Sequence, residues 1–565
     1  MLNSPRPKNW WVYPRLTPEV DAALNIFPPY MRQLLFNRGC NDASSAAEYL
    51  NATQPIGDPF LLTDMETAIT RLLHAIDQSE AIVVYGDYDV DGVSATALMV
   101  QVLQKFTPKV TRYIPNRFDE GYGVNKEAIQ LLADSGAKLI LTVDCGIRSP
   151  EEVELASSLG VEMIISDHHY PQGDLPPALA VICPKREGDA YPDKDLAGVG
   201  LAYKIAQALF ARRKAGDWSA EDWLDFVALG TVADVVPLHG ENRVLVRRGI
   251  NLIRQGKRVG LQALIRVSGR DPQRISAGDI GYMLGPRLNA AGRMESALQA
   301  YSLLMAESLD DAAMLAQKLD NQNSERQKVT KEMRAMAEDH FGPEPEFDIL
   351  TTFDEAYNAG VMGLVATSLV EAYYRPAIVG SIEGDVIRAS CRSIEEFHIT
   401  QALDQCSDLL VRHGGHSMAA GFTLERAKVD EFLERIQAVA AKQLAGRELR
   451  KTVKADMEMP IEQVKDIQLR DLEKLQPTGM ENPDAVFISR NVEIKVARTI
   501  GAEKKHLKLT CQAGHYLLDA VAWRQADWLP MLPGKFDLLY NIEENNYMGS
   551  RSLQLNVRDM RPSKS

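Results

Sequence analysis

The stretch AIVVYGDYDVDGVSATALMVQVLQKF, residues 81–106, decides how the chain is read. Ala81 to Tyr85 is a short β-branched apolar run, the pattern of a buried strand. It breaks on an acidic loop in which Asp87, Asp89 and Asp91 stand at every second position. From Gly92 the small and apolar residues read as a helix. Three carboxylates within five residues repel one another, and folding does not gather them without a cation to offset the charge.

Working outward, KLILTVD (Lys138 to Asp144) and VEMIISD (Val161 to Asp167) repeat the short apolar run. Helical stretches, Asn125 to Ser135 and Pro150 to Leu159, separate them. Buried strands alternating with helices predict a parallel sheet covered on both faces. Each run ends on polar chemistry: Asp144 closes one, and Asp167, His168 and His169 close the other. Ligands of open α/β sheets bind beyond the carboxyl ends of the strands, so these groups are expected on one rim. GTVADVVPL adds Asp234 from a small-residue stretch after a helix. Alone, such an Asp is often a helix N-cap and a His pair is often structural. Their joint placement at three strand ends favours a metal site. Carboxylate with imidazole suits Mn²⁺ or Mg²⁺.

The 565 residues exceed one hydrophobic core, so two to four domains are expected. No apolar stretch reaches the roughly 18 residues a membrane span needs, and the N-terminus lacks the apolar core of a secretory signal. The six cysteines are scattered without a CxxC pair, which argues against a zinc site or disulfide framework and for a reducing cytoplasm. A net charge of −14 speaks against nucleic acid as a partner when taken alone. Yet Arg243 to Arg293 holds eleven basic residues opposed only by Asp271 and Asp279. That run reads either as a solvated helical face or as a channel wall that tracks phosphates. A long polar helix from Leu309 to His340 ends at Gly342, Pro343 and Pro345, and a polar helix of this kind often bridges domains. A second α/β pattern follows. The tail from Val453 carries about five short alternating strands, a small barrel or sandwich.

DYDVDG, the Asp144 motif, SDHH and GTVADVVPL, in this order, resemble the four motifs of the DHH phosphoesterase superfamily. The resemblance implies two divalent ions in a cluster of Asp and His. Asp89 and Asp91 would bind one ion each and Asp144 would bridge them. His168 and Asp234 would complete the second site, Asp87 would be a further ligand or base, and His169 would contact the scissile phosphate. Some relatives carry a histidine where this chain has Tyr85. Two such ions clamp an in-line displacement at phosphorus, so the implied chemistry is phosphodiester hydrolysis.

NRFDEGYG (Asn116 to Gly123), GPRLNAAGR (Gly285 to Arg293), ASCRS (Ala389 to Ser393), GGHSMAAGF (Gly414 to Phe422) and LQPTGMENPDAVF (Leu475 to Phe487) resemble signatures of the RecJ branch. That resemblance implies an N-terminal segment over 1–55, a DHH catalytic core with a helical subdomain over 56–308 and a connecting helix over 309–342. A DHH-associated substrate-binding domain over 343–450 and an OB-fold over 451–565 would follow, with a cleft between the lobes. It implies a 5′→3′ exonuclease on single-stranded DNA in repair and recombination. Arg117, Arg287, Asn289, Arg293, Ser390, Arg392 and His416 would hold phosphates. It also implies a cytoplasmic monomer, with single-strand-binding protein and a helicase as partners and no membrane. Guanidinium forks and close backbone approach at glycines suit such contacts. Phe487, Tyr516, Trp523 and Tyr547 are candidate stacking or core aromatics. Two other readings stand beside this one: an oligonucleotide or cyclic-dinucleotide phosphodiesterase of the same superfamily, and an inactive DNA-binding scaffold.

Overall fold

The apolar run after Ala81 is a strand, Ile82–Gly86, buried along its whole length in the computed structural model. The structure describes residues 8–117, 120–121, 123–547 and 550–563. Phe118, Asp119 and Tyr122 of the NRFDEGYG segment and the side chain of Tyr547 lie outside the described residues. The strand belongs to a five-stranded sheet in the order Val110–Tyr113, Ile82–Gly86, Leu139–Val143, Glu162–Ser166, Ala180–Ile182. All its pairings are parallel. Leu139–Val143 is buried throughout, as the near-continuous apolar runs of such a sheet require. The helix Val90–Leu103 is apolar or small nearly all round and is buried on every face.

The chain forms two compact units, and each is visited more than once. The first comprises Cys40–Ser324 and Glu473–Asp484; the second comprises Met1–Gly39, Glu325–Leu472 and Ala485–Ser565. The helix Leu309–Phe341 starts in one and ends in the other.

The basic run of the first unit is largely structural. Arg243 is fully buried and donates to the carbonyls of Leu475 at 2.9 Å, Gln476 at 3.0 Å and Pro477 at 3.1 Å. Arg258 pairs with Asp225, Arg270 with Asp279 at 3.2 Å, Arg248 with Glu221 at 3.5 Å and Arg287 with Asp320 at 2.8 Å. Five of the eleven basic residues are thus engaged within the protein. Glu221, Asp225 and Asp320 lie outside the run in sequence and reach it only through the fold.

In the second unit, a mixed sheet runs Leu410–His416, Ala419–Glu425, Val386–Arg392, Ala377–Glu383, Leu350–Asp354. Only its last pair is parallel. The tail strands Phe487–Ile500, His506–Ala513, Tyr516–Ala522, Ser550–Pro562 and Gly534–Tyr547 close on themselves, because the first also pairs with the last. Closure removes the sheet edges, as in an OB barrel. Phe487 is buried in this barrel and the Tyr516 hydroxyl donates to Val464 O, whereas Trp523 is half exposed beside His506. Asn9–Val12 pairs in parallel with Thr452–Ala455, tying the N-terminal segment to this unit. All six cysteines are buried. Among the described residues no helix is long and apolar enough to cross a membrane.

Candidate metal centre

In the core sheet, Ile82–Gly86 has its next strand in sequence on one side and Leu139–Val143 on the other. The connections diverge there, which opens a crevice at the carboxyl ends. The acidic loop and Asp144 both emerge into it. Asp89 caps the helix Val90–Leu103, its Oδ1 accepting from the backbone of Asp91 at 2.9 Å and Gly92 at 3.1 Å. The capping role is thus real, and it aims the loop. Asp91 accepts from Gly198 N at 2.7 Å and Val199 N at 2.9 Å, at the first turn of the helix Gly198–Arg212. Helix N-termini favour such a carboxylate. Burial, and then the charge of Asp89, nevertheless lift the Asp91 pKa to about 7.

Two glycines make room for the carboxylates. A Cβ on Gly198 would lie 2.5 Å from the Cβ of Asp144, and one on Gly230 would lie 2.6 Å from Asp91 Oδ1. Asp144 itself is held at φ 64°, and its N–H donates to Ser166 O at 3.0 Å. A non-glycine residue in the left-handed region is strained unless its surroundings fix it, and such strain gathers at functional sites.

His168 Nε2 lies 3.2 Å from Asp144 Oδ1, 3.5 Å from Asp234 Oδ2 and 4.0 Å from Asp91 Oδ2. Neither of its ring nitrogens makes a hydrogen bond within the described structure, and neither does Asp87 Oδ1 or Asp144 Oδ1. Burial pushes the His168 pKa down to about 3, so the ring is neutral. Burial also raises Asp87, Asp144 and Asp234 well above the usual carboxylate range, with nearby Asp charges adding to it. Buried lone pairs facing one another without protons are costly, and a cation between them removes that cost.

The ligand atoms fall into overlapping sets, each within 4.8 Å: Asp87, Asp89 and Asp144; Asp91, His168 and Asp234; and Asp144, His168 and His169. Asp144 links the first set to the third, and His168 the third to the second. Tyr85 contributes no ligand: its ring stacks on Tyr113 and its hydroxyl donates to Gly123 O at 3.1 Å. Asp167 was expected on the rim without a role of its own, and it orients a neighbouring site residue. Its Oδ1 lies 2.7 Å from His169 Nδ1, and its Oδ2 accepts from Ile147 N at 3.0 Å. Burial alone lowers the His169 pKa, but the hydrogen bond and charge of Asp167 outweigh it and the net shift is upward. The only signal in the sequence was the position of Asp167 within SDHH. The Gly198–Val199 amides left no such signal.

Two other candidates flank the acidic loop. The guanidinium of Arg117 lies 5.2 Å from the Tyr88 ring centroid, and both Arg117 and Arg293 lie within charge range of that tyrosine. Asn289 and Arg293 belong to the helix Gly285–Met294, whose Gly292 packs so closely on the loop that a Cβ would lie 3.0 Å from Tyr88 O. Arg287 of the same helix is engaged with Asp320 and Met283 O. In the second unit, Arg392 donates to Cys391 O at 2.7 Å and Ser390 Oγ at 3.2 Å. Strand register sets His416 opposite Ala419, and Ala419 opposite Arg392, so the two share one sheet end. Glu396 accepts from the Tyr374 hydroxyl at 3.1 Å.

Comparison with known proteins agrees with this geometry. Residues 81–231 match the model of the DHH family N-terminal domain, 347–442 the DHHA1 domain and 455–559 the RecJ OB domain. The single-stranded-DNA-specific exonuclease RecJ of Bacillus subtilis is 36% identical over 94% of this chain and 68% of its own. The Salmonella typhimurium enzyme of the same name is 34% identical over 97% of each chain. The chain belongs to the RecJ family. The crystal structure of Thermus thermophilus RecJ with Mn²⁺ superposes with a TM-score of 0.86 at 29% identity, covering 99% of this chain and 80% of that one. A Mg²⁺ complex of that protein superposes at 0.79 with 28% identity, covering 99% of this chain and 79% of that one. RecJ proteins are metal-dependent hydrolases, and the buried carboxylate and imidazole donors here are of the type that holds either ion.

Proposed function

We propose that this RecJ-family protein is an exonuclease that hydrolyses single-stranded DNA from a 5′ end, releasing 5′-mononucleotides, with Mn²⁺ or Mg²⁺ as cofactor. The observation that carries the reading is the set of Asp87, Asp91, Asp144 and His168, all buried, with the partly buried Asp89 and Asp234, in which facing lone pairs lack hydrogen-bond partners at His168, Asp87 and Asp144. Asp87 and Asp89 would hold one ion, Asp91, His168 and Asp234 a second, and Asp144 would serve both. Bound there, the ions stabilise charge on the attacking and leaving oxygens of an in-line displacement.

The chain's own residues do the rest. Asp167 fixes the His169 ring through Nδ1, which leaves Nε2 to donate to a phosphate oxygen. Arg117 and Arg293 beside the acidic loop present guanidiniums for the strand, and Asn289 an amide. In the second unit, Ser390, Arg392 and His416 share a sheet end suited to a terminal phosphate. The closed barrel supplies a further surface for single strands. In the cell this describes a cytoplasmic monomer acting in repair and recombination alongside single-strand-binding protein and a helicase.

End-labelled single strands incubated with Mn²⁺ test the polarity. The reading predicts that a 5′ label appears first, as a mononucleotide. Release of a 3′ label first, or a clear preference for dinucleotides over long strands, would contradict it.

A further inference from the structure

The edge strand Ala180–Ile182 brings a further cation to the rim of the metal centre. It runs parallel to Glu162–Ser166, and Ser166 pairs with Ile182. His169 lies three residues beyond Ser166 and Lys185 three beyond Ile182, so the register carries both out at the same end of the sheet. Two contacts keep the emerging chains together. Asp167 N–H donates to Ile182 O at 3.1 Å, and Cys183 Sγ donates to His169 O at 3.5 Å. Lys185 Nζ stands 5.0 Å from the centroid of the Tyr170 ring. Tyr170 is itself anchored, because Arg148 Nε donates to its carbonyl at 3.0 Å.

A lysine on a solvated face runs its ammonium out into water. Here the ring that directly follows the histidine pair holds the ammonium, as a tyrosine face attracts a cation. Among the described residues no carboxylate or carbonyl takes a hydrogen bond from it. Its charge nevertheless reaches the cluster. Burial and the charges of Asp91 and Asp89 hold Asp234 above the usual carboxylate range, and Lys185 works against them. Arg117 acts in the same way on Asp87, in a different ligand set. Five carboxylates exceed the charge of two divalent ions, and a phosphodiester adds a further negative charge. A cation on the Asp234 side lowers that repulsion, and lysine meets phosphate as a point charge that needs no fixed fork. Neighbouring strands lie about 4.8 Å apart, so Lys185 is displaced sideways from His169 and faces the phosphate next to the one His169 contacts.

We propose that Lys185 contacts the phosphate on the 3′ side of the scissile one, with Tyr170 as the residue that positions its ammonium. The proposal rests on the reading of the site as one that cuts single-stranded DNA from its 5′ end. Under that reading the phosphate on the other side of the scissile one is the terminal group, which falls to Ser390, Arg392 and His416. Lys185 follows a strand of only three residues and Tyr170 lies just past SDHH, so neither carries a signal along the chain.

The test compares Lys185→Gln, Lys185→Arg and Tyr170→Leu with the wild type on two single strands of roughly 20 nucleotides. One strand is unmodified. The other has an uncharged methylphosphonate in place of the phosphate between its second and third nucleotides. Binding is titrated against salt with metal-free protein. Release of the first nucleotide is measured separately at saturating Mn²⁺. In the wild type the methylphosphonate should lower the salt slope of binding by about 0.7. It should also raise KM by about 10-fold with little change in kcat, because the lost contact is to a group that does not react. Lys185→Gln should show both deficits on the unmodified strand, and the methylphosphonate should add nothing to them. Lys185→Arg should follow the wild type, and Tyr170→Leu should fall between the two. A residue that only supports the fold cannot cancel the effect of one phosphate. Equal methylphosphonate penalties in the wild type and in Lys185→Gln overturn the proposal, and so does a Lys185→Gln loss confined to kcat. Lys185 is partly exposed, and Lys185→Met, which keeps the apolar stem, carries the same comparison should the Gln variant not fold. Failure of the wild type to release a mononucleotide from the unmodified strand is a separate outcome, which sinks the underlying reading and this proposal with it.

Discussion

Asp167 shows what a single residue does here. The metal-binding candidates other than Asp234 were legible in the sequence because they close an apolar run or sit in a charge-dense loop, and Asp234 was read from its place in GTVADVVPL. Asp167 was legible as a rim residue but its role was not, since that depends on a 2.7 Å contact that only the turn after Ser166 creates. The same holds for Gly198 and Gly230, whose missing side chains admit Asp144 and Asp91. If Asp167 keeps His169 oriented and its pKa raised, Asp167→Asn should lower hydrolysis by about 10–100-fold, the usual cost of losing an outer partner. It should also move the pH profile. A protonated His169 donates to phosphate, so activity falls as pH rises through its pKa. Without the Asp167 charge that pKa drops, and the decline should begin at lower pH. A profile that loses height without shifting would mean that Asp167 only supports the fold.

At the scale of elements, the alternating strands and helices from residue 81 and the barrel strands of the tail were readable from period and length. The role of the basic run was not. A count along the chain sees Asp271 and Asp279 but misses the acids and carbonyls that the fold delivers from elsewhere. Arg243 is the clearest case, because four consecutive carbonyls, Lys474 to Pro477, converge on its buried guanidinium. Removing it leaves those acceptors unpaired in the interior, which costs on the order of 3 kcal/mol or more. Arg243→Ala should therefore lower the denaturant midpoint clearly, with no change in the salt slope of DNA binding. A reduced slope at unaltered stability would return Arg243 to a phosphate-contacting role.

Over the whole molecule, a linear reading cannot show that the chain leaves each unit and comes back. Asn9–Val12 meets Thr452–Ala455, and Glu473–Asp484 joins residues of the first unit, through pairings with no local signal. The cluster at the switch point also couples global stability to pH and metal. Asp91 has a folded-state pKa of about 7, above its unfolded value. Its contribution is fully present below the unfolded pKa and is lost as pH rises through about 7. Metal-free protein should thus lose stability from this group between about pH 4, the unfolded value, and about pH 7, and above that a bound cation takes over the proton's role. The rise in Tm on adding Mn²⁺ should be larger near pH 8 than near pH 6, as read by calorimetry. An equal rise at both would mean that the ion binds elsewhere.

The most direct test is a Mn²⁺ titration of protein stripped with chelator, following mononucleotide release from a single strand, with a blunt duplex of the same sequence and an Asp144→Ala variant alongside. The account predicts no release without metal, release restored by Mn²⁺ on the single strand but not the duplex, and at least about 100-fold less from Asp144→Ala. Release by metal-free protein, equal rates on duplex and single strand, or near wild-type activity in Asp144→Ala would contradict it.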